Sequence, residues 1–377
     1  MRVLWNELKK ILTWKILLLL VLVNSVLYYL LIQFDIEHFP NGRPALDSYN
    51  IGIEMIEKYG TQMDEEEFLD FKEVYDAQVK EADLYIKSQK GFVDVGIDSY
   101  EQFNAYNWVN ASTEADELRN TIFHKEKIDT FWELQERSRL IEFYEWKEHI
   151  SDSYGAKQKN RVEALIAAKN HDVYPEVVIM NFRDFIGNVA ITILFSIVLV
   201  ISPMILRDRM RQVLALQYTS KAGRNLYKTK IIAGLISTFF VITALLAVYF
   251  SIYSLNNTAM YFDVPINTFI GSLSWYDPTF FQYILLCIAA IYIIGFVFSL
   301  LAMSFSSIVP NSMALIGIQI PFVVGMIILM GGPLMRYIIS IGNPQWLAST
   351  VYGLMVVASL LFIIVLWKRE KKRDIVL

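Results

Sequence analysis

Residues 186–206 read IGNVAITILFSIVLVISPMIL, residues 207–230 read RDRMRQVLALQYTSKAGRNLYKTK, and residues 231–255 read IIAGLISTFFVITALLAVYFSIYSL. A helix needs roughly 20 mainly apolar residues to cross the hydrocarbon core of a bilayer. Two such runs therefore flank a basic segment that is longer than a turn between spans requires. The pair sets the solvent of the fold: lipid for the flanks, water for the segment between them.

The rest of the chain has the same character. Of its 377 residues, 55% are hydrophobic, and the mean hydropathy of +0.38 is too high for an ordinary soluble domain. Six apolar runs stand out, at 16–34, 185–206, 231–253, 281–305, 313–331 and 347–367. Backbone groups in hydrocarbon must be satisfied within the span, so these runs are expected to be helices. The predicted fold is an all-α polytopic membrane protein. Its first run is too long for the core of a cleaved signal peptide, and no small-x-small site follows it, so it is read as a retained span.

Lysine and arginine placement orients the spans. The first 15 residues carry four basic side chains, 207–230 carries seven and the tail 368–377 carries five. Segment 254–280 carries none and 332–346 carries only Arg336. Both termini and the basic segment are thus expected in the cytoplasm, with 254–280 as an extracellular loop and 332–346 as an extracellular or re-entrant segment.

Between the first two spans, residues 35–184 hold 32 acidic and 17 basic side chains, net −15, while the remainder of the chain is net +11. This block is long enough for its own core and is expected to be a mainly helical extracellular domain. Phe68, Phe71, Tyr75, Val79, Ala82 and Ile86 recur at helical spacing. Acids open that helix at Asp64 to Glu67, and Lys87, Lys90 and Gly91 mark its end. A second long helix is predicted over 113–150 and a shorter one over 156–170. The two long helices are suited to an antiparallel hairpin.

Several chemistries are not legible. The four histidines lack metal-ligand spacing, and no phosphate-cradling GxxxxGK[ST], no GxSxG and no CxxC occurs. No catalytic residue, metal or cofactor is assigned to the chain itself, and no nucleic-acid partner is expected. The sole cysteine, Cys287, lies within the fourth run, so the block 35–184 carries no disulfide, which favours a bacterial plasma membrane. Lys, Arg, Asp and Glu are missing from the depths of the apolar runs, which disfavours a gradient-driven carrier. Milder polar groups at Asn24, Ser196, Thr238, Thr243 and Gln319 are either interhelical hydrogen bonds or contacts along a pathway. Energy for transport would then have to come from outside the chain.

A helix through 207–222 would place Met210, Leu214 and Tyr218 on one stripe rimmed by arginines, ending where Gly223 can act as C-cap. Such a helix, continuous with a span, suits the groove of a partner protein. At this point the chain resembles the permease subunits of type-2 ABC exporters. The first 15 residues, MRVLWNELKKILTWK, resemble that family's cytoplasmic amphipathic elbow helix, with Glu7 as its acidic residue. Asp208, the run Thr219-Ser220-Lys221-Ala222-Gly223-Arg224 and then Lys228 or Lys230 resemble the cytoplasmic element between the family's second and third spans. The large block after the first span is similar to insertions in Gram-positive members.

The resemblance implies that 207–230 is a coupling segment docking on a separate ATP-binding subunit through Asp208, Met210, Arg211, Leu214, Tyr218 and Arg224. Two ATP-binding subunits and a second permease, identical or not, would complete the unit, with ATP and Mg held by the partner and lipid around the spans. The expected function is ATP-driven export of an amphipathic peptide, antibiotic or lipid-like molecule. The alternative is a membrane sensor or immunity protein whose outer domain binds a ligand without transport.

Overall fold

In the computed structural model of the chain, residues 2–126, 128–171, 173–213, 223 and 225–372 are described. Among them there is no β-strand, only the isolated bridges Tyr174–Phe269 and Pro265–Thr279. Six helices are long and apolar enough to cross a membrane, as a multi-pass membrane protein requires: Trp14–Glu37, Val177–Met210, Asn225–Asn256, Phe280–Ile308, Ser312–Met330 and Leu347–Lys371. They are called the first to sixth spans below. Each contains or closely overlaps one of the six apolar runs, and several run further. The second begins at Val177 rather than near 185 and the third at Asn225 rather than near 231. The polar side chains of Asn181, Asp184 and Lys230 in these extensions find partners, while Asn225 and Lys228 are exposed.

The chain divides into two compact units. One gathers most of the six spans with the amino-terminal helix Arg2–Ile11. That helix stops at a bend, where Thr13 turns extended and its hydroxyl accepts the Ile16 N–H at 3.4 Å, capping the first span. Small residues let the spans approach closely. A Cβ on Gly295 would come within 2.5 Å of Ile242 Cδ1, and one on Gly234 within 2.5 Å of Met303 Sδ.

A polar network closes one end of this unit. The first span passes through a π-helical turn at Tyr28–Ile32, and the Leu31 carbonyl accepts the Asn188 amide at 2.7 Å. Asn188 also donates to Asp35 at 3.0 Å, and Asn181 and Asn256 both donate to the Asp35 carbonyl. Segment 332–346, expected as an extracellular or re-entrant segment, packs within the unit: Leu334 and Met335 are buried. Tyr283 and Tyr352 donate to the carbonyls of Arg336 and Leu334, which satisfies irregular backbone among the spans. Arg336 pairs with Asp184 at 2.8 Å, and its side chain crosses Gly187, where a Cβ would lie 2.6 Å from Nε.

The second unit comprises Pro40–Met180 and Thr258–Phe281. Its helix Glu65–Ser88 starts at a capping box in which Asp64 accepts the Glu66 and Glu67 N–H groups while Glu67 accepts the Asp64 N–H. The expected antiparallel partner is Asp129–Glu145: Phe68 stacks on Tyr144 at 3.9 Å, while near the other end Tyr85 meets Phe131 at 5.7 Å. The uninterrupted helix expected over 113–150 is instead Thr113–Asn120, a π-helical turn at Thr121–Lys125, then Asp129–Glu145 and the 3₁₀ turn Trp146–Ser153. The interruption lets Ile122 and Phe123 enter an aromatic core with Phe92, Phe103 and Phe131. Burying those rings outweighs a few tenths of a kcal/mol of helix continuity. Gly91, expected to end the Glu65–Ser88 helix, lies within the next short helix, and Gln89 is the cap.

Of residues 254–280, expected as an extracellular loop, 258–280 belong with Phe281 to this unit as an integral part. Asp277 Oδ1 accepts from Arg161 at 2.6 Å, Asn170 at 3.1 Å and Asn267 at 3.0 Å. The Asn267 oxygen takes the Ser274 N–H at 2.7 Å. These bonds replace regular secondary structure, and Asn267 is wholly buried.

Asp47 is buried in the same unit with one carboxylate oxygen unpartnered and Arg43 at 3.6 Å. Burial pushes its carboxyl above the ordinary range; Arg43 opposes this, and Glu133 and Asp129 reinforce it. A raised folded value means the native state holds the proton more tightly. Its stabilisation is therefore full at low pH and is lost as pH rises from the ordinary carboxylate range through the folded value. Asp47→Asn is expected to flatten the pH dependence of the thermal midpoint across that window, measured by tryptophan fluorescence of the detergent-solubilised protein. An unchanged pH profile would contradict the assignment.

Candidate functional site: a buried charge cluster beside the basic segment

The site is built from three places in the chain that converge in the six-span unit. Glu7 lies on the inner side of the Arg2–Ile11 helix and is 3% exposed. Asp208 lies at the end of the second span and is 8% exposed. Lys230 lies in the second turn of the third span and is fully buried. The Lys230 ammonium pairs directly with Asp208 and lies 3.2 Å from Glu7 Oε2. Lys10, one helical turn after Glu7, closes the set at 2.7 Å from Glu7 and 3.9 Å from Asp208. Two carboxylates thus meet two ammonium groups. A buried ion is tolerated only when paired and hydrogen-bonded, so each member holds the others in place.

Neighbouring contacts fix the end of the second span. Arg207 donates to the Lys10 carbonyl at 2.7 Å. Arg209 donates to the Ser307 carbonyl, and to that of Val309 at 3.0 Å, at the end of the fourth span. The Leu206 N–H donates to Ser306 Oγ at 2.9 Å. Leu206 packs on Val309 and Leu315. The helix then stops: Met210 is its last residue, and Gln212 takes a φ of +55°, in the left-handed region. The single helix expected over 207–222 is therefore interrupted at Arg211–Gln212. Gly223, expected as a cap, has a φ of +51°. Met210 is 59% exposed and Arg211 is exposed, whereas Asp208 turns inward onto Lys230. Leu214, Tyr218 and Arg224 lie outside the described residues.

Of Lys228 and Lys230, the structure selects Lys230; Lys228 is exposed. The sequence reading did not place Lys10 in the cluster, although its spacing of three from Glu7 is the signal for a paired helix face. It also missed the anchoring role of Arg209, whose acceptors lie about 100 residues away.

The five milder polar groups are all engaged within the spans. Asn24 donates to Ser196 Oγ at 2.9 Å and accepts from Tyr249 at 2.9 Å, joining the first, second and third spans. Thr238 lies 2.8 Å from Ser299 Oγ, Thr243 lies 2.7 Å from Tyr292 Oη, and Gln319 donates to Ser202 Oγ at 2.6 Å. Each such bond contributes about 0.6 kcal/mol in a bilayer. Among the described residues no group of three His, Cys, Asp or Glu side chains is arranged to hold a metal ion.

Compared with known proteins, the chain matches no family model, no curated protein and no solved structure.

Lys230→Met would leave Glu7 and Asp208 facing one another with one cation fewer. Breaking a buried pair costs about 3–5 kcal/mol. The expected outcome is a marked fall in the thermal midpoint by fluorescence-detected size exclusion. Asp208→Asn in the same chain should recover much of it. A Lys230→Met protein as stable as the parent would show that the cluster carries no weight.

Proposed function

We propose that the chain is the membrane-spanning permease subunit of an ATP-driven ABC exporter, with ATP hydrolysed on a separate subunit docked at 207–230. The observation that carries this reading is the Glu7–Lys230–Asp208 cluster. It ties the amino-terminal helix, the end of the second span and the start of the third to the base of the basic segment. A load applied to that segment is thereby delivered to spans rather than absorbed in a loose loop. The exposed Met210 and Arg211 at its entry supply an apolar contact beside a cation, as a protein groove would accept.

In this reading the basic surfaces and both termini face the cytoplasm of a bacterial plasma membrane. The acidic second unit lies outside, and an amphipathic peptide, antibiotic or lipid-like molecule is the exported class. A second permease copy and two ATP-binding subunits complete the assembly.

The test is extraction from the native membrane in mild detergent, followed by mass spectrometry of what accompanies the protein. A stoichiometric nucleotide-binding subunit is expected, with no ATP hydrolysis by the chain alone. Leu214→Asp combined with Tyr218→Asp should release that subunit while the chain still inserts. Robust hydrolysis by the isolated chain would overturn the reading. Consistent recovery of the chain without an ATPase would favour a ligand-binding sensor or immunity protein.

A further inference from the structure

In the second unit a cavity of about 110 Å³ opens beside the π-helical turn Thr121–Lys125, lined by Arg119, Asn120, Phe123, His124, Trp132 and Gln135. Its composition departs from that of its surroundings. The block 35–184 has nearly two acids for each base, yet among the described residues no carboxylate lines the cavity. Five of the six lining side chains can donate a hydrogen bond, through guanidinium, amide, imidazole or indole N–H groups. Among the described residues, none of those five side chains makes a hydrogen bond or ion pair within the protein, and Arg119, Asn120, His124 and Gln135 are exposed, so their donors face solvent at the cavity mouth.

The walls are held in place. Phe123 and Trp132 meet edge to face with ring centroids 4.7 Å apart. The Arg119 guanidinium lies over the Trp108 ring at 5.1 Å and over Phe123 at 6.0 Å. Trp108 is itself fixed by its indole N–H, which donates to the Phe103 carbonyl at 3.0 Å. Stacking on aromatic rings orients a guanidinium and leaves its N–H edge free for a planar acceptor. The π-helical turn brings Phe123 and His124 to the cavity wall, and such turns recur at functional sites.

We propose that this cavity receives the chain-end carboxylate of a cationic peptide. A carboxylate matches the fork of Arg119, with the amides of Asn120 and Gln135 and the ring of His124 as further donors. The aromatic walls suit an apolar last side chain, and the volume admits one such end group rather than a folded ligand. The surrounding acid excess repels a simple anion and attracts a basic peptide body. One molecule satisfies both fields: positive along its length and negative at its end. The inference goes beyond the export reading and is decided by peptide binding, whether or not an ATPase partner is found.

The experiment uses the full chain in detergent and isothermal titration calorimetry with three probes. These are an N-acetylated peptide of three lysines ending in phenylalanine with a free carboxylate, the same peptide as its amide, and N-acetylphenylalanine. The free acid peptide is expected to bind at least 10-fold more tightly than the amide. Arg119→Ala should erase that difference, Arg119→Lys should keep part of it, and neither should move the thermal midpoint, because Arg119 is exposed. Equal binding of acid and amide, indifference to Arg119→Ala, or no saturable binding of any probe would overturn the proposal. N-acetylphenylalanine binding as tightly as the peptide would assign the cavity to small free acids and overturn the peptide assignment.

Discussion

The fully buried ammonium of Lys230 is the constraint on which the base of the six-span unit depends. A lysine side chain removed from water is unstable as an ion unless carboxylates replace its hydration. Here they come from two places distant in sequence, Glu7 and Asp208. The amino-terminal helix, the last turn of the second span and the first turns of the third must therefore meet at one point. Arg207 and Arg209 are then positioned to bond carbonyls of the amino-terminal helix and of the fourth span's end. One buried charge thus organises four segments, and the net balance of two acids and two bases lets it do so without an uncompensated ion.

Away from that point the spans are held by weaker means. Hydrocarbon gives no hydrophobic drive between helices, so close packing at glycines and single interhelical hydrogen bonds carry the association. Asn24 illustrates the economy: one side chain bridges three spans because it both donates and accepts. The interrupted backbone at 331–346 obeys the same accounting rule. Its carbonyls at Leu334 and Arg336 are answered by tyrosine hydroxyls from the sixth and fourth spans, and Arg336 by a carboxylate of the second.

The spans were legible because bilayer thickness imposes a length and a composition that leave few alternatives. Glu7, Asp208 and the Lys228/Lys230 pair were legible only as members of a resembling pattern; nothing in their spacing places residues 7, 208 and 230 together. The helix Glu65–Ser88 was readable from its period and its capping acids. The break after Asn120 was not, since a run free of Gly and Pro gives no local warning. It follows from tertiary demand for Ile122 and Phe123 in the core, and local propensity is too weak to resist that. The internal order of the expected loop 254–280 was missed for a related reason. Its order comes from side chains such as Asp277 and Asn267 bonding to distant partners and to backbone, which hydropathy does not register.

The distribution of charge along the second and third spans bears on how the proposed permease would work. Asn188 and Asp208 are 20 residues apart on one helical path, roughly 30 Å at 1.5 Å per residue, the thickness of the hydrocarbon core. One belongs to the network around Asp35 and Arg336, the other to the cluster around Lys230. Between Asn188 and Arg207 the second span carries no ionised side chain: Thr192 and Ser196 bond back along the helix, and Asn24 and Gln319 reach in from neighbouring spans. The span is broken at Ser202, where the helix Val177–Ile201 ends and Pro203–Met210 begins; each piece is held by a polar network and close-packed, and packed interiors have discrete rather than continuous alternatives. Under the export reading, a pull at the basic segment would therefore move Pro203–Met210 first and reach the Asp35–Arg336 network through the break at Ser202, which Gln319 holds from the fifth span.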